Sequence, residues 1–229
     1  MNGTEEKKTI VFVCTGNTCR SPMAETVFRF ELNRRRIENA EVYSAGIAAK
    51  GDGRENINLK SVAVLTENGF SVANFHARRL GEEVYRQAFA IICMTDAQRD
   101  FLMEDRWNVL RKAGEEEIEN NVWSFSELCG YEIPDPYGRD LDAYRETYRL
   151  INAAMPPLFK KFFPDYTEAE RKESEDTPPV PPKRKRGRPR KNPEEKGTAK
   201  PKTTKKTTGT KTAAKPRKTK PKESKETEQ

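Results

Sequence analysis

The stretch Val11-Phe12-Val13-Cys14-Thr15-Gly16-Asn17-Thr18-Cys19-Arg20-Ser21-Pro22 decides the fold of this chain. Its apolar start predicts a buried strand, and its Ser-Pro end predicts a helix with Ser21 as the cap and Pro22 in the first turn. The loop between them can curl so that several backbone N–H groups point at one spot beside the positive end of the helix dipole. Such a loop binds a tetrahedral oxyanion.

The cysteine that ends the strand and the arginine six positions later predict the chemistry of this loop. Arg20 presents a planar pair of donors that suits a phosphoryl group. Cys14 would lie at the floor of the loop, where the same donors stabilise a thiolate, the nucleophilic form of cysteine. A phosphate cradle with a nucleophile at its base predicts a phosphatase.

Composition divides the chain into an acidic part and a basic part. It has 229 residues with a net charge of +7 and a mean hydropathy of −0.94, which is low for a chain that is globular throughout. Residues 177–229 contain 19 Lys and Arg and 5 Glu, a net charge of +14, so residues 1–176 carry −7. We therefore expect one acidic folded domain followed by a basic tail.

The four cysteines and the lack of a long apolar segment give an indication of the cellular compartment of the protein. No apolar stretch approaches the roughly 18 residues that span a membrane, and the polar N-terminus lacks the apolar core of a signal peptide. Together with the expectation of reduced thiols, this favours a cytoplasmic protein without a membrane partner. A single histidine and scattered cysteines predict no metal site, and we expect no cofactor.

Strands alternate with helices along the folded part, which predicts an α/β fold with an open four-stranded parallel sheet and helices on both faces. The strands are expected at residues 8–13, 41–44, 88–94 and 122–125. Helices are expected after Pro22, after the caps Asn58 and Asp96, over residues 81–86 and over residues 141–154, where Pro156 and Pro157 interrupt the last one. The carboxyl ends of parallel strands bind ligands, and Cys14 falls there.

Four motifs in order resemble the low-molecular-weight protein tyrosine phosphatases, and within them the bacterial protein arginine phosphatases. They are Cys14-Thr-Gly-Asn-Thr-Cys-Arg-Ser-Pro-Met-Ala-Glu25, Ser44-Ala-Gly46, His76-Ala-Arg78 and Asp135-Pro-Tyr137. The resemblance covers about residues 9–163 and implies a phosphatase domain over residues 1–164.

The resemblance also implies roles for single residues. Cys14 would attack and form a phosphocysteine, and Arg20 would clamp the phosphoryl oxygens. Asp135 would protonate the leaving group and then activate water. Asn17 would hold the loop in its strained shape, since asparagine tolerates a left-handed backbone, and Ser21 would donate its hydroxyl to the thiolate.

Other positions would complete the site by the same resemblance. Cys19 would pair with Cys14 in a reversible oxidation guard, and His76 would hydrogen bond toward Ser21 rather than act as a base. The residues expected to bind phosphate or substrate are Thr15, Gly16, Asn17, Thr18, Cys19, Ser21 and Tyr137.

Position 18 favours phosphoarginine over phosphotyrosine as the substrate. Family members directed at tyrosine carry a bulky aliphatic residue there, whereas those directed at arginine carry threonine, whose hydroxyl can hydrogen bond a guanidinium edge. Tyr137 is followed by Gly138 rather than by a second aromatic residue, and the polar loop 50–56 offers no aromatic wall. A phosphotyrosine substrate remains the alternative.

Two further alternatives use the same fold. An arsenate reductase would need two more cysteines close together, whereas Cys93 lies in an apolar strand and Cys129 is far along the chain. A binding protein with a dead active site would have lost Cys14, Arg20 or Asp135, and all three are present.

The end of the chain has the composition of a disordered segment. Residues 165–182 form a Pro-rich linker, and residues 183–229 form a tail rich in Lys, Pro and Thr. Within it, Arg186-Gly187-Arg188-Pro189 resembles the core of an AT-hook, which lies in the minor groove of A·T-rich DNA. An accidental match in a basic tail is the alternative, and loose binding to DNA or another polyanion follows from the charge alone. Association with the nucleoid is then expected.

Overall fold

A computed structural model describes residues 7–115 and 117–166 of the chain. They form four strands and seven helices, which are β1 (Lys8–Cys14), α1 (Arg20–Arg34), β2 (Ala40–Gly46), α2 (Leu59–Glu67), α3 (Val84–Gln87), β3 (Ala90–Cys93), α4 (Asp96–Ala113), β4 (Val122–Ser124), α5 (Phe125–Cys129), α6 (Leu141–Ala153) and α7 (Met155–Phe162). The expected linker from residue 167 on and the basic tail, with its Arg186–Pro189 segment, lie outside these residues.

The four strands form one parallel sheet in the order β2-β1-β3-β4, which confirms the predicted fold class. Because all strands run the same way, their carboxyl ends meet at one edge. At that edge Cys14 of β1 lies beside Gly46 of β2. We call this edge, at which β1 ends and the loop 15–19 begins, the catalytic edge.

Strand β1 is buried on both faces, as its unbroken apolar run predicts. Ile10 and Phe12 face one hydrophobic cluster, and Val11 and Val13 face the other. On the first face the ring of Phe12 meets that of Phe28 of α1 edge to face, at a centroid distance of 5.4 Å. Helices therefore cover both faces of the sheet and hold β1, with its terminal cysteine, at the centre.

Two helix starts differ from the prediction, that of α1 by two residues and that of α4 by one. Helix α1 begins at Arg20 after Cys19, so that Ser21 lies inside the first turn and does not cap it. Its hydroxyl contacts Cys14 instead. Helix α4 is capped by Thr95, whose hydroxyl accepts the N–H of Gln98 at 3.3 Å, and Asp96 is its first residue.

Helix α6 ends at Ala153, just before the prolines, as predicted, but a further helix that the sequence does not predict follows at once. Pro156 and Pro157 occupy the first positions of α7, where a missing N–H leaves no hydrogen bond unmade. The short helix α5, with its capping box between Ser124 and Glu127, was not predicted. Within residues 7–115 and 117–166, no helix is long and apolar enough to cross a membrane.

Candidate active site

The loop between β1 and α1 is fastened from outside by the segment that follows β2. Three backbone N–H groups of that segment donate to carbonyls of the loop: Ile47 to Cys14 at 3.0 Å, Ala48 to Thr15 at 2.8 Å and Asn58 to Thr18 at 2.8 Å. With these carbonyls held outward, the loop is kept in a fixed curve around Cys14. Gln98 of α4 adds a side-chain bond of 3.1 Å to the hydroxyl of Thr15.

The sulfur of Cys14 is buried at the base of the loop and receives two polar contacts. The hydroxyl oxygen of Ser21 lies 3.0 Å from Sγ, and the backbone N–H of Asn17 donates to Sγ at 3.3 Å. A thiolate accepts both bonds, whereas a thiol would use only its weak acceptor capacity. Both contacts are thus placed to hydrogen bond a thiolate at this position.

Asn17 connects this loop by hydrogen bonds to β2 and to the segment that carries Arg78. It is fully buried and has a left-handed backbone, with φ at 53°, as expected for the residue that holds the loop in its shape. Its side-chain NH₂ donates to the hydroxyls of Ser21 at 2.9 Å and Ser44 at 2.8 Å. Its carbonyl oxygen accepts the backbone N–H of Arg78 at 2.8 Å.

A buried carboxylate terminates the same network. Glu25 of α1, which is 4% exposed, accepts the hydroxyl of Ser44 at 2.5 Å and pairs with Arg29 at 2.5 Å. Since a carboxylate only accepts, the Ser44 proton must point to Glu25, and Ser44 must accept from Asn17. Ser21 likewise accepts from Asn17, so its own proton is free to point at Cys14.

No role is predicted for Glu25 from the sequence, although the residue closes the first motif. The signal that could have shown it is a charged residue directly beside the apolar face of α1, between Ala24 and Val27. A carboxylate at a buried position requires a partner for its charge. Arg29, one turn further along the helix, supplies it.

Arg20 and Asp135 meet across the mouth of the loop. Arg20 is buried, and its Nη2 donates to Oδ2 of Asp135 at 2.7 Å while its Nη1 donates to the carbonyl of Ile133 at 3.3 Å. Asp135 is half-exposed, and its other oxygen accepts the N–H of Tyr137 at 3.1 Å. Among the described residues the buried Nε of Arg20 has no partner, so a donor stands ready for an oxyanion.

Gly46 leaves the space that the loop occupies. A Cβ at this position would lie 2.8 Å from the backbone nitrogen of Asn17 and 2.9 Å from the carbonyl carbon of Gly16. Both contacts are with backbone atoms, which cannot turn aside as a side chain can. The close packing of the loop therefore requires glycine at the last position of the Ser44-Ala-Gly46 motif.

Comparison with known proteins identifies the family of the chain. Residues 9–167 match the low molecular weight phosphotyrosine protein phosphatase family. The chain belongs to this family. The phosphatase is 31% identical over 152 residues to the protein-arginine-phosphatase of Geobacillus stearothermophilus, covering 66% of this chain and 94% of that relative.

Two further relatives show the range of the family. The low molecular weight protein-tyrosine-phosphatase PtpB of Staphylococcus epidermidis is 31% identical over 146 residues, which are 62% of this chain and 90% of that protein. A solved structure of a YwlE arginine phosphatase variant with a phosphorylated active-site serine superposes on this chain with a TM-score of 0.58 at 26% sequence identity. The superposition covers 69% of this chain and 99% of the YwlE chain. The present protein is a cysteine-based protein phosphatase.

Cys19 is the last residue of the loop 15–19, with its sulfur 3.6 Å from the hydroxyl of Tyr144 and 3.7 Å from that of Thr18. Burial raises the pKa of the Cys19 thiol, and the contacts with Tyr144 and Thr18 oppose that rise. All four cysteines are free thiols. Tyr137 is 71% exposed beside Asp135, in a position to meet the substrate.

His76 does not reach Ser21, and the prediction of that hydrogen bond is wrong. His76 is exposed, and the partners of the Ser21 hydroxyl in the described chain are Cys14, Asn17 and the carbonyl of Ala45. The segment from His76 to Arg78 reaches the loop through the backbone N–H of Arg78 instead.

The remaining cysteines sit apart from this chemistry. Cys93 is fully buried in β3, and burial raises its pKa far above the ordinary value. Burial also raises the pKa of Cys129 to about 11. In the described ranges 7–115 and 117–166, no three or more His, Cys, Asp or Glu side chains are arranged to hold a metal ion.

Proposed function

We propose that this phosphatase hydrolyses phosphoarginine on proteins through a phosphocysteine intermediate. The observation that carries the substrate class is Thr18, a half-buried hydroxyl in the loop between Cys14 and Arg20. A hydroxyl can hydrogen bond the edge of a guanidinium, which an aliphatic side chain cannot do. The protein-arginine-phosphatase name of the Geobacillus relative supports the same class.

In the first step the Cys14 thiolate attacks the phosphorus atom. The S–P bond forms as the P–N bond to the substrate guanidine breaks. Asp135, as the neutral acid, gives its proton to the departing nitrogen. Arg20 and the loop N–H groups hold the three remaining oxygens throughout, where charge is spread in the transition state.

In the second step water replaces the cysteine. Asp135, now a carboxylate, takes a proton from the attacking water, the O–P bond forms, and the S–P bond breaks. Inorganic phosphate leaves and Cys14 returns as a thiolate, stabilised by Ser21 and the N–H of Asn17. The 2.7 Å contact between Arg20 and Asp135 supports this assignment, because it brings the proposed acid to the phosphate clamp.

The substrate class is tested by comparing turnover of phosphoarginine and phosphotyrosine peptides of the same sequence. The parent enzyme is expected to prefer phosphoarginine, and Thr18→Ile is expected to shift the ratio of kcat/KM values toward phosphotyrosine. A parent enzyme that prefers phosphotyrosine would establish the tyrosine-directed alternative, which the PtpB relative and the exposed ring of Tyr137 favour.

We also propose that the basic tail tethers the enzyme to DNA or another polyanion. Residues 177–229 carry a net charge of +14, and each neutralised phosphate adds to a binding constant that falls steeply with salt. Deleting these residues is expected to abolish retention on DNA while phosphoarginine turnover persists. Unchanged retention after the deletion would refute the tether.

The AT-hook resemblance adds a finer expectation for the tail. Arg186→Ala together with Arg188→Ala is expected to reduce preference for A·T-rich over G·C-rich duplexes while leaving most of the salt-dependent affinity. Equal affinity of the parent for both duplexes would mean that this segment binds DNA only through its general basic charge. A DNA-bound fraction of the enzyme would place it on the nucleoid in the cytoplasm.

A further inference from the structure

A cavity of about 450 Å³ lies beside the catalytic edge and is not part of the site described above. It opens between the loop that carries Gly51 and Gly53 and the segment that carries His76, Arg78 and Arg79. Gly51 has a left-handed backbone, with φ at 69°, and a Cβ there would lie 3.0 Å from the Cβ of Arg79. The two walls of the cavity are thus closely apposed at its base.

The walls of the cavity carry more positive than negative charge. Arg78 and Arg79 are exposed, and in the described chain neither guanidinium forms an ion pair; that of Arg78 lies over the ring of Tyr43, at 5.7 Å from its centroid. Two carboxylates of the loop 50–56 have partners of their own, because Glu55 pairs with Lys50 and Asp52 accepts the backbone N–H of Arg54. Arg78 and Arg79 both line the cavity, and two arginines without an ion pair beside one cavity suit an anionic ligand.

The backbone fixes how far this cavity lies from the nucleophile. Cys14 pairs with Gly46 across the sheet, and Gly46 in turn pairs with Arg79 in an isolated bridge. Two neighbouring-strand spacings put the backbone of Arg79 roughly 10 Å from that of Cys14. Arg78 is closer still to the loop, since its N–H donates to Asn17.

We propose that Arg78 and Arg79 bind an anionic side chain of the substrate protein, two or three residues from the phosphorylated one. An extended chain advances about 3.3–3.6 Å per residue, so two or three residues span the distance between the two sites. The group recognised is an oxyanion, either the carboxylate of Asp or Glu or a second phosphoryl group. The proposal rests on the protein phosphatase activity and applies to whichever phosphorylated residue the enzyme hydrolyses.

The test uses two series of three peptides. The phosphorylated residue is phosphoarginine in one series and phosphotyrosine in the other. At the position two residues away they carry Asn, Asp or phosphoserine. With the full chain, kcat/KM is expected to be about two- to fivefold higher for the Asp peptide than for the Asn peptide, as for an exposed ion pair. The phosphoserine peptide shows whether a second phosphoryl group is taken in preference to a carboxylate.

Variants of Arg79 assign the effect to the cavity. Arg79→Gln is expected to bring the ratio of the Asp to the Asn peptide close to one, mainly through KM, and Arg79→Glu to bring it below one. The matched control is Arg111→Gln, which removes an exposed arginine from the last turn of α4, at the edge of the sheet opposite the catalytic one. It is expected to keep the parent ratio.

Two results would overturn the proposal: a parent ratio of one, or a ratio that Arg79→Gln leaves unchanged. Either would leave the phosphatase activity itself intact, because the Asn peptide is still hydrolysed. Failure of the phosphoarginine assignment would look different, since the phosphotyrosine series would then be turned over faster at every flanking residue. The preference for Asp should also shrink as salt is raised from 0.05 to 0.5 M, roughly in step with the Debye length.

Discussion

The guanidinium of Arg20 donates a 2.7 Å hydrogen bond to the carboxylate of Asp135 and so joins two residues that are 115 positions apart. In the proposed mechanism Arg20 binds the phosphoryl group and Asp135 protonates the leaving group. A phosphoryl oxygen that takes the Nη2 donor of Arg20 releases Asp135 from this bond. Substrate binding would thereby free the carboxyl group at the moment when it must carry a proton.

Asp135→Asn is expected to lower kcat by about 10²- to 10⁴-fold, the usual contribution of a general acid and base. Inorganic phosphate should inhibit this variant more strongly than the parent, because a negative charge beside Arg20 is gone. Steady-state kinetics with phosphate as a competitive inhibitor measures both effects. Asp140→Asn is the control, since it changes an exposed aspartate of the same loop that caps α6, a role asparagine fills equally well.

Ser21→Ala removes the hydroxyl that lies 3.0 Å from the sulfur of Cys14. A hydrogen bond to a charged group contributes about 1.5–3 kcal/mol, so turnover is expected to fall by about one to two orders of magnitude. Ser61→Ala is the matched change, because Ser61 is also fully buried but its hydroxyl has no partner in the described chain. Equal kcat values for the two variants would refute a role of Ser21 in supporting the thiolate.

Glu25→Gln is expected to reduce both stability and kcat. The amide can donate to Ser44, which removes the fixed direction of the hydrogen bonds from Ser44 through Asn17 to Ser21, and it leaves Arg29 without its ion pair. The expected loss is about 1–3 kcal/mol in the free energy of unfolding, measured by urea titration. Glu31→Gln is the comparison on the same helix, since Glu31 pairs with Arg34 and Arg35 and has no contact with the Ser44–Asn17–Ser21 network in the described chain. It should leave kcat near the parent value.

Gly46→Ala is expected to impair catalysis more than Gly16→Ala does, although Gly16 lies within the phosphate loop itself. A Cβ on Gly16 meets only the hydroxyl of Thr18, at an ordinary 3.7 Å, whereas a Cβ on Gly46 collides with loop backbone. The comparison is made by kcat/KM on one peptide and by the midpoint of thermal unfolding. A Gly16 variant that is the more damaged of the two would contradict the packing argument.

The buried thiol of Cys19 predicts how the oxidation guard depends on pH. Because burial raises its pKa, little thiolate is present near neutral pH, and disulfide formation with oxidised Cys14 should accelerate as pH rises toward that pKa. Tyr144→Phe removes a hydrogen bond that lowers the pKa, so it should slow the reaction at a given pH. The rate is followed by loss of free thiols after peroxide treatment. A rate independent of pH between 7 and 9 would contradict this view of Cys19.

The sequence predicts well whatever depends on local pattern. The apolar run before Cys14 and the glycine and proline breaks between elements specify four parallel strands, and these are confirmed. The errors lie where tertiary contacts decide. Ser21 is a good cap by residue type but contacts the sulfur, and Pro156 opens α7 because its apolar residues, such as Phe159, pack on Phe28.

Long-range polar contacts were the hardest part of the site to foresee. His76 was assigned by resemblance to a hydrogen bond that the main chain of Arg78 makes with Asn17 instead. The importance of Glu25 emerges only when Ser44, from a different strand, is brought beside it. No periodicity in the sequence encodes which hydroxyl a buried carboxylate will meet.

The nucleophile, the clamp and the hydroxyl that supports them lie within one continuous segment, from Cys14 to Ser21. The acid is contributed separately, by the half-exposed loop before α6, and Asp135 is 115 positions from Arg20 in the chain. The residues that transfer the phosphoryl group are therefore distinct from those proposed to select what it is attached to, although Thr18 shares their loop. A lineage with this architecture can change its substrate class by substituting Thr18 and the residues around the loop, while Cys14, Arg20 and Asp135 stay unchanged.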